Sequence, residues 1–279
     1  MTEPRLEDWI GRSATQDDLI DARTAGLLAA TLDRKDRFAP GDALPPLWHW
    51  TYFVPRDLRR EIGPDGHRLR GGFLPPVPLP RRMWAGGRLR FEQALRIGEP
   101  ATRVSRIESV ARKSGKSGEL VFVTVSHEIS GPRGLALREE HDIVYRGLPA
   151  PGSVAPPPPA APQDAQFHTQ VVPDPVLLFR YSALTFNGHR IHYDQPYVTQ
   201  EEGYPGLIVH GPLIATLLAG QLRTQAPGRA LAAFEFRALG PLFDIAPFEV
   251  CGRIEGDAAT LWARGPQGQL AMQASAQLA

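Results

Sequence analysis

Apolar residues dominate one short segment of the C-terminal half, and their spacing predicts a buried helix there. The segment 212–223 reads PLIATLLAGQLR, and apolar side chains surround almost its whole circumference. Pro212 suits the first helical position, because the N–H that proline lacks would have no partner there. We therefore expect a helix over 212–223 that lies inside the protein.

Short segments typical of β-strands follow this helix and are separated by glycine, proline and aspartate. This alternation predicts an antiparallel meander with the sequences ALAAFEFRAL, FEVCGRIEG, AATLWARG and LAMQASAQL. The apolar segment 176–185, VLLFRYSALT, precedes the helix and is predicted as a strand or a buried edge. One buried helix followed by consecutive strands indicates a sheet that is wrapped around a helix.

The N-terminal half shows a looser version of the same order. The segment DLIDARTAGLLAATL predicts a helix with Asp17 or Asp18 near its N-cap. Strands are predicted at RLRFEQAL, ATRVSRIESVARK, GELVFVTVSHEIS and LALREEHDIVYR, with a hairpin turn at KSGKSGE. The predicted fold class is therefore α+β, with two antiparallel sheets that each wrap around a central helix.

A proline-rich segment separates the two halves. It covers residues 147–166 and contains four consecutive prolines, Pro156 to Pro159. Such a segment is stiff and extended and forms neither a helix nor a central strand. We therefore predict an N-terminal domain at 1–146, a linker at 147–166 and a C-terminal domain at 167–279, each domain being of ordinary size.

The composition excludes several classes of function. The net charge of the 279 residues is +1, so we expect neither nucleic acid nor an anionic membrane as a partner. Cys251 is the only cysteine, which excludes an intrachain disulfide and a cysteine-based zinc site. The N-terminus has no apolar run and the longest apolar segment is too short to span a bilayer, so a cytoplasmic location is expected.

The segment 183–197, ALTFNGHRIHYDQPY, concentrates polar side chains in a turn-prone stretch. His189, His192 and Asp194, with the later His210, offer nitrogen and oxygen ligands for a metal ion. Zinc hydrolases usually carry a helix-borne pattern such as H-E-x-x-H, whereas Gly188 and its surroundings favour a loop. We therefore predict no metal and no cofactor.

His192 and Gly211 suggest acid–base chemistry beside the start of a helix. Histidine titrates near neutral pH and can both take and return a proton. The chain enters the buried helix at Gly211, and a helix N-terminus offers unpaired N–H groups that can bind a developing oxyanion. Together these groups would activate a carbonyl compound. The residues alone fit a hydrogen-bonded loop histidine and a turn glycine equally well, so both interpretations stay open.

The C-terminal half carries a long signature that resembles MaoC-type hot-dog hydratases and dehydratases. The signature reads YSALTFNGHRIHYDQPYVTQEEGYPGLIVHGPLIATLL. It is most similar to the branch of hydroxyacyl-thioester dehydratase type 2 and 3-methylfumaryl-CoA (mesaconyl-CoA) hydratase. The N-terminal phrases PRRMWAGG and RKSGKSGELVFVTVSHEI are similar to the same branch, so the resemblance covers most of the chain. It implies a double hot-dog fold.

The family motif reads Asp-x-Asn-Pro-x-His, and its aspartate and histidine are the catalytic pair. Only the histidine matches here, at His192, while the other motif positions hold Asn187, His189 and Arg190. The resemblance implies that His192 is the main acid–base group. An amide cannot act as a base, so Asn187 is expected to orient water or substrate. The family's oxyanion donor carries over to the N–H of Gly211.

The resemblance implies reversible hydration of an enoyl-CoA or dehydration of a 3-hydroxyacyl thioester, so the expected enzyme is a hydro-lyase. Gly211 would bind the thioester oxygen, and His192 would deprotonate the water that adds to the β-carbon. The expected substrate is a small branched dicarboxylic acyl-CoA, with 3-methylfumaryl-CoA (mesaconyl-CoA) giving citramalyl-CoA. The expected partner is therefore the acyl-CoA thioester, and a homodimer is compatible with the resemblance.

A dicarboxylic substrate would need a cation near the site. Arginine matches a carboxylate with two hydrogen bonds, so the candidates are Arg190 within the motif and Arg180 and Arg237, which flank it in sequence. Trp84, next but one to Arg82 in RRMWAGG, is expected to line the other side of the pocket. Ordinary packing is the alternative role for each of these residues.

Three more side chains complete the predicted pocket: His189, Asp194 and His210. His189 is a second candidate for acid–base chemistry. Asp194 is expected to orient His192, since a carboxylate can hold an imidazole in one tautomer. All three are therefore predicted to contact the substrate or the main base.

Three other functions remain open from the sequence. An acyl-CoA thioesterase on the same fold would need a carboxylate that attacks the thioester, and Asp194 or Glu201 could supply it. A non-catalytic acyl-CoA-binding protein is suggested by Asn187 in the aspartate position. Metal-dependent hydrolysis would use the histidine cluster. Release of free CoA would indicate the thioesterase, and binding without turnover would indicate the binding protein. Loss of activity on chelation would indicate metal-dependent hydrolysis.

Overall fold

The computed structural model describes residues 5–115, 118–147 and 158–279. These ranges contain ten strands, three α-helices and several single-turn helices. The strands are β1 (Ser13–Leu19), β2 (Arg81–Phe91), β3 (Pro100–Gly115), β4 (Gly118–Gly131), β5 (Gly134–Arg146), β6 (Phe167–Val171), β7 (Leu231–Ala238), β8 (Phe248–Glu255), β9 (Ala258–Arg264) and β10 (Leu270–Leu278). The helices are α1 (Ala22–Thr31), α2 (Pro175–Leu184) and α3 (Gly211–Gln225). The single-turn helices are the 3₁₀ segments Leu6–Trp9, Trp48–Thr51, Arg59–Glu61 and Arg190–His192 and the π segment Tyr197–Glu201.

The ten described strands form one antiparallel sheet with the order β1-β3-β4-β5-β2-β7-β10-β9-β8-β6. Each half contributes five strands. If the strands are numbered 1 to 5 within each half, both halves have the order 1-3-4-5-2 from the outer edge to the middle of the sheet. The second strands of the two halves, β2 and β7, pair in the middle. This central pairing is close, because a Cβ at Gly86 on β2 would lie 2.5 Å from the carbonyl oxygen of Phe236 on β7. The two halves therefore repeat one topology and join through β2 and β7.

The helix α3 is the central helix of the C-terminal half, as its apolar sequence predicts. It packs on β8, β9 and β10 and buries Leu213, Ile214, Leu218 and Leu222. The N-terminal half has a shorter helix, α1, of ten residues, which packs against α2 and against the 3₁₀ segment Trp48–Thr51. The predicted order of a helix followed by strands is thus present in both halves.

The segment 176–185 is not the predicted strand, because most of it forms the helix α2. The carboxylate of Asp174 accepts the N–H of Leu177 at 2.7 Å and caps the first turn. Pro175 then occupies the first helical position, where it needs no N–H partner. A strand was predicted from the apolar run in spite of these two helix-start signals, because buried helices and buried strands have similar composition.

The helix α1 also begins later than predicted. Its N-cap is Asp21, whose carboxylate accepts the N–H of Thr24 at 2.8 Å. Asp17 and Asp18, the predicted caps, lie in β1, which pairs with β3 at one edge of the sheet. The polar sequence of β1, SATQDDL, shows no apolar alternation, so the pattern did not reveal this strand. The other eight strands lie at the predicted segments, and β3–β5 and β8–β10 pair consecutively as meanders. The strands β2 and β7 do not continue them, because they pair with β5 and β10 and with each other.

Two predicted connections fall partly outside the described residues. β3 and β4 flank the predicted hairpin turn, but residues 116–117 of the turn are not described. The same holds for residues 148–157 of the proline-rich segment, so the domain boundaries stay a prediction. The chain then lies against the C-terminal half, where the N–H of Ala161 donates to Gly268 at 2.9 Å. Within the described ranges, every helix is too short or too polar to cross a bilayer.

Candidate active site

His192 ends the 3₁₀ segment Arg190–His192, and its ring is buried. Its Nδ1 lies 2.7 Å from the carbonyl oxygen of Ile208. A carbonyl oxygen only accepts hydrogen bonds, so Nδ1 carries the proton and Nε2 keeps a lone pair. Burial lowers the pKa of His192 to about 4, which keeps the ring neutral at pH 7. His192 is therefore a base whose proton-accepting atom is Nε2.

The ring of His210 stacks on the ring of His192, with a centroid separation of 3.7 Å and an interplanar angle of 18°. The Nε2 of His210 is hydrogen-bonded to the hydroxyl of Ser182 at 2.8 Å. Its Nδ1 is buried without a partner among the described residues. Burial, and to a smaller degree the neighbouring His192, holds the pKa of His210 well below its usual value. A second neutral imidazole therefore supports the base.

Gly211 begins α3 directly after His210, so the helix N-terminus lies beside the stacked rings. The first N–H groups of a helix have no intrahelical acceptor and carry partial positive charge. A Cβ added at Gly211 would have Cε of Met272 at 4.0 Å as its nearest neighbour, so the start of the helix is not crowded on that side. This helix end can therefore bind a developing negative charge close to the base.

Asn187 braces the loop that leads from α2 to His192. Its Oδ1 accepts the N–H of His189 at 3.0 Å, and its own N–H donates to the carbonyl of Ser182 at 2.8 Å. A side-chain oxygen that bonds the backbone two residues further on forms an Asx-turn, which fixes the path of the loop. The amide nitrogen of Asn187 is then the part of the side chain that can donate to water or substrate.

Arg190 and Asp194 pair with each other across one turn of the same loop. Nη2 of Arg190 lies 2.8 Å from Oδ2 of Asp194, and Nη1 donates to the carbonyl of Pro64 at 3.0 Å. The other oxygen of Asp194 accepts the N–H of Tyr197 at 3.1 Å. Both carboxylate oxygens of Asp194 are thus engaged by Arg190 and Tyr197. Asp194 was predicted to orient His192, but the carbonyl of Ile208 is the group that bonds the His192 ring.

A turn of the N-terminal half, residues 63–67, reaches this site. The carbonyl of Asp65 accepts the N–H of Arg190 at 3.0 Å, so the turn is tied to the backbone of the loop that carries His192. Gly66 has a φ of +87°, and a Cβ there would lie only 1.7 Å from the carbonyl oxygen of Gly188. This contact joins segments more than a hundred residues apart, and the sequence GPDGH signals only a turn.

Asp65 and His67 bring a hydrogen-bonded pair to the site, which the sequence did not reveal. Oδ2 of Asp65 lies 3.0 Å from Nδ1 of His67. The ring of His67 lies 3.8 Å from that of His189, which meets the ring of His192 edge-on at 5.5 Å. Burial lowers the pKa of both His67 and His189, while the hydrogen bond from His67 holds the pKa of Asp65 below its usual range. Four imidazoles, each with a lowered pKa, thus form a continuous row.

Asp65, His67 and His189 are also the described residues that could hold a metal ion. Each offers one ligand atom, and these atoms lie within 4.8 Å of one another. The contact between Oδ2 of Asp65 and Nδ1 of His67 has the length of an ordinary hydrogen bond, and a metal ion would have to displace its proton. The geometry fits a hydrogen-bonded pair as it stands, so we assign no metal to it.

Trp84 lies in a separate buried cluster where the two halves join. Its ring lies 3.9 Å from that of His141 and 5.0 Å from that of Trp50. Glu139 is buried in this cluster, with its carboxylate bonded to Nε2 of His141, to Nε2 of His49 at 2.9 Å and to Nε1 of Trp50 at 2.7 Å. Trp84 therefore packs over a polar network of the N-terminal half, and its predicted contact with the substrate stays a prediction.

The predicted arginines occupy different environments. Arg180 and Arg237 are exposed on α2 and β7, and no hydrogen bond or ion pair within the described ranges joins them to His192. Arg82 is half-buried on β2 opposite Tyr145 of β5. Burial is the largest cause of the lowered pKa of His67 and of His189. The positive charge of Arg82 is a smaller cause that acts in the same direction. Arg82 is thus one of the cations that act on the histidine row, and Arg70 is another.

Comparison with known sequences connects this geometry to a family. The family model described as hydroxyacyl-thioester dehydratase type 2 matches residues 47–244, which include the 63–67 turn, the His192 loop and α3. A protein of Chloroflexus aurantiacus named mesaconyl-C(4)-CoA hydratase is 51% identical over 275 residues. The alignment covers 97% of this chain and 96% of that protein.

Comparison with solved structures concerns the fold. A MaoC-like dehydratase from Phytophthora capsici superimposes with a TM-score of 0.73 at 15% identity, over 99% of this chain and 98% of that one. A conserved Mycobacterium tuberculosis protein, described as having a double hotdog fold, superimposes with a TM-score of 0.59 at 13% identity, over 97% of this chain and 96% of that one. The predicted double hot-dog fold is confirmed.

Proposed function

The chain belongs to the hydroxyacyl-thioester dehydratase type 2 family, and we propose that it adds water to the double bond of 3-methylfumaryl-CoA (mesaconyl-CoA) to give citramalyl-CoA. The observation that carries this proposal is the buried, neutral His192, which keeps a lone pair on Nε2 beside the N-terminus of α3. The extensive identity to a protein named mesaconyl-C(4)-CoA hydratase supports the choice of substrate.

Hydration of an enoyl thioester begins with polarisation of its carbonyl group. The N–H of Gly211, at the positive end of α3, donates to the thioester oxygen and stabilises the enolate that forms on it. Polarisation makes the β-carbon electrophilic. Removal of such a donor typically costs a factor of about 10² to 10³ in rate, so this contact is a major part of the catalysis.

His192 activates the water molecule. Nε2 removes a proton from water while the oxygen forms a bond with the β-carbon, which carries the methyl group and the free carboxylate of this substrate. The hydrogen bond from Nδ1 to Ile208 stabilises the imidazolium that results. The reverse reaction, dehydration, uses the same groups, because the protonated ring then donates to the leaving hydroxyl.

The free carboxylate of the substrate requires a cation near the β-carbon. The guanidinium of Arg190 is already bound by Asp194 and by the carbonyl of Pro64, so it braces the loop. Arg82 lies on β2 with a charge that acts on His67 and His189, the rings that extend the row from His192. We therefore favour Arg82 as the residue that binds the carboxylate.

The experiment is mass spectrometry of 3-methylfumaryl-CoA and crotonyl-CoA after incubation with the wild type, His192→Ala and a matched control, His168→Gln. His168 is exposed on β6 and belongs to none of the site contacts. We expect the wild type and the control to yield a product heavier by one water, and His192→Ala to lose this activity by a factor of about 10² or more.

Other outcomes would replace the proposal with one of its alternatives. Free CoA would make the protein a thioesterase, although both oxygens of Asp194 are engaged and Glu201 is exposed. Unchanged thioesters, together with a raised melting temperature, would make it a binding protein. Conversion of crotonyl-CoA alone would leave the hydratase activity in place and contradict the dicarboxylic substrate.

A further inference from the structure

Hydration requires two proton transfers, and His192 accounts for one of them. A proton leaves the attacking water, and another proton must reach the α-carbon after the double bond has opened. A positioned acid–base group accelerates such a transfer by about 10² to 10⁴. The loop of His192 offers no carboxylate for this purpose, because Asn187 cannot titrate and the carboxylate of Asp194 is bound to Arg190 and Tyr197.

We propose that the Asp65–His67 pair, which the N-terminal half contributes to the site, is the second acid–base group and transfers the proton at the α-carbon through Nε2 of His67. This inference rests on the proposed hydratase activity and extends it to a residue outside the hydratase signature. It also gives the N-terminal half a chemical task in addition to its structural one.

The hydrogen bond within the pair determines which atom of His67 reacts. Oδ2 of Asp65 lies 3.0 Å from Nδ1 of His67, and an ionised carboxylate only accepts hydrogen bonds. Nδ1 therefore carries a proton, and Nε2 is the atom that exchanges one. A second bond, from the backbone N–H of His67 to Oδ1 of Asp65 at 3.0 Å, fixes the carboxylate relative to the ring. The His67 side chain is 23% exposed, so a ligand can reach it.

The turn that carries the pair is held in place by the catalytic loop. The ring of His67 lies against that of His189 with a centroid separation of 3.8 Å, and His189 in turn meets His192 at 5.5 Å. Glycine at position 66 allows the turn to approach the carbonyl of Gly188. His67 thus contacts His189, which contacts His192, so the turn brings a second imidazole to the loop that carries the base.

The protons balance over one cycle. In hydration, His192 takes a proton from water, the oxygen bonds to the β-carbon, and the electrons of the double bond move to the α-carbon and the thioester oxygen. Protonated His67 then gives its Nε2 proton to the α-carbon. His192 releases its proton to bulk water and His67 takes one back, so the net reaction is the addition of one water. Dehydration runs in the opposite direction, with neutral His67 as the base.

The surroundings of His67 predict how hydration depends on pH. Burial and the charges of Arg82 and Arg70 lower the pKa of His67, whereas the bond with Asp65 raises it. His189, whose ring is tilted against that of His67, is neutral because burial lowers its pKa to about 2. The protonated form of His67 is needed for hydration, so the rate should fall as the pH rises above the lowered pKa of this residue.

The test compares His67→Gln, Asp65→Asn and the double variant with the exposed controls His168→Gln and Asp33→Asn. With 3-methylfumaryl-CoA we expect kcat to fall by about 10² or more in His67→Gln, with a KM within about threefold of the wild type. Asp65→Asn should lose at least about tenfold. The double variant should match His67→Gln, because Asp65 acts through His67 and the effects are not additive.

Three results obtained with an active wild type would overturn the proposal. A His67→Gln variant with wild-type kcat would do so directly, while turnover by the wild type would keep the hydratase function in place. If His67→Gln lost the same fraction of the rate at every pH and also had a lowered melting temperature, the Asp65–His67 pair would be only a structural contact. Loss of wild-type activity on exhaustive chelation, restored by Zn²⁺, would make Asp65, His67 and His189 metal ligands instead. If the wild type does not hydrate the substrate, the proposed function fails first and this inference fails with it.

Discussion

The imidazole rings of His192 and His210 lie almost parallel, with centroids 3.7 Å apart. His210 is the last residue before α3, so this stack connects the base to the helix that begins with Gly211. Both rings are buried and neutral, and they therefore pack as an uncharged pair without repulsion. The proposed base and the start of α3 are thus held as one unit, although they lie on different segments.

Stability should decrease as the solution is acidified. The pKa of His192 is about 4 in the folded protein against 6.5 for the ordinary side chain, so the unfolded chain binds more protons between these values. The resulting loss of unfolding free energy from pH 7 to 4 is on the order of 3 kcal/mol for this group. Urea unfolding of the wild type and His192→Gln at several pH values measures it. An identical pH dependence in both proteins would contradict the assignment.

A methyl group at position 66 should separate the two parts of the active site. Gly66→Ala places a Cβ against the carbonyl of Gly188, whereas Gly71→Ala, at a similar φ of +86°, has Cβ of Pro76 at 3.8 Å as its nearest neighbour. Both variants carry a backbone penalty of about 1–2 kcal/mol. Only Gly66→Ala should also lose hydratase activity, by about tenfold or more. Comparable kcat values in the two folded variants would argue against a role for this contact.

Replacement of Arg82 should affect the dicarboxylic substrate selectively. A charged hydrogen bond to a carboxylate contributes about 1.5–3 kcal/mol, so Arg82→Gln should raise KM for 3-methylfumaryl-CoA by roughly 10- to 100-fold. Crotonyl-CoA lacks the carboxylate and should show little change. Arg180→Gln, at an exposed position of α2, serves as the control. A similar rise in KM for both thioesters would indicate a general effect on the pocket.

The buried Glu139 should contribute to stability more than to catalysis. The residue is 3% exposed, and its carboxylate is bonded to His49, His141 and Trp50. Glu139→Gln leaves donors in this network without their charged acceptor, and breaking such a buried pair typically costs about 3–5 kcal/mol. The exposed substitution Glu92→Gln should cost less than about 0.5 kcal/mol. Denaturant unfolding checks this, and an unchanged midpoint in Glu139→Gln would contradict it.

Much of the C-terminal half could be predicted because its signals are local. The apolar circumference of 212–223 and the Pro212 helix start correspond to α3, and alternating segments correspond to β7–β10. The segment 176–185 shows the limit of this approach, because its apolar run fits a strand as well as the helix that Asp174 caps. Edge strands such as β1 were missed, since a strand exposed to solvent has no apolar alternation.

The sequence by itself determined which groups the candidate site contains: an imidazole at position 192, a glycine at the start of α3, and no ionisable group at Asn187. Only the tertiary structure decided that the carbonyl of Ile208 selects the tautomer of His192, and that the turn 63–67 lies against the loop of His192. The physical reason is that a hydrogen bond or a ring stack depends on distance in space. Packing of the two halves sets this distance, and the order of residues along the chain does not reveal it.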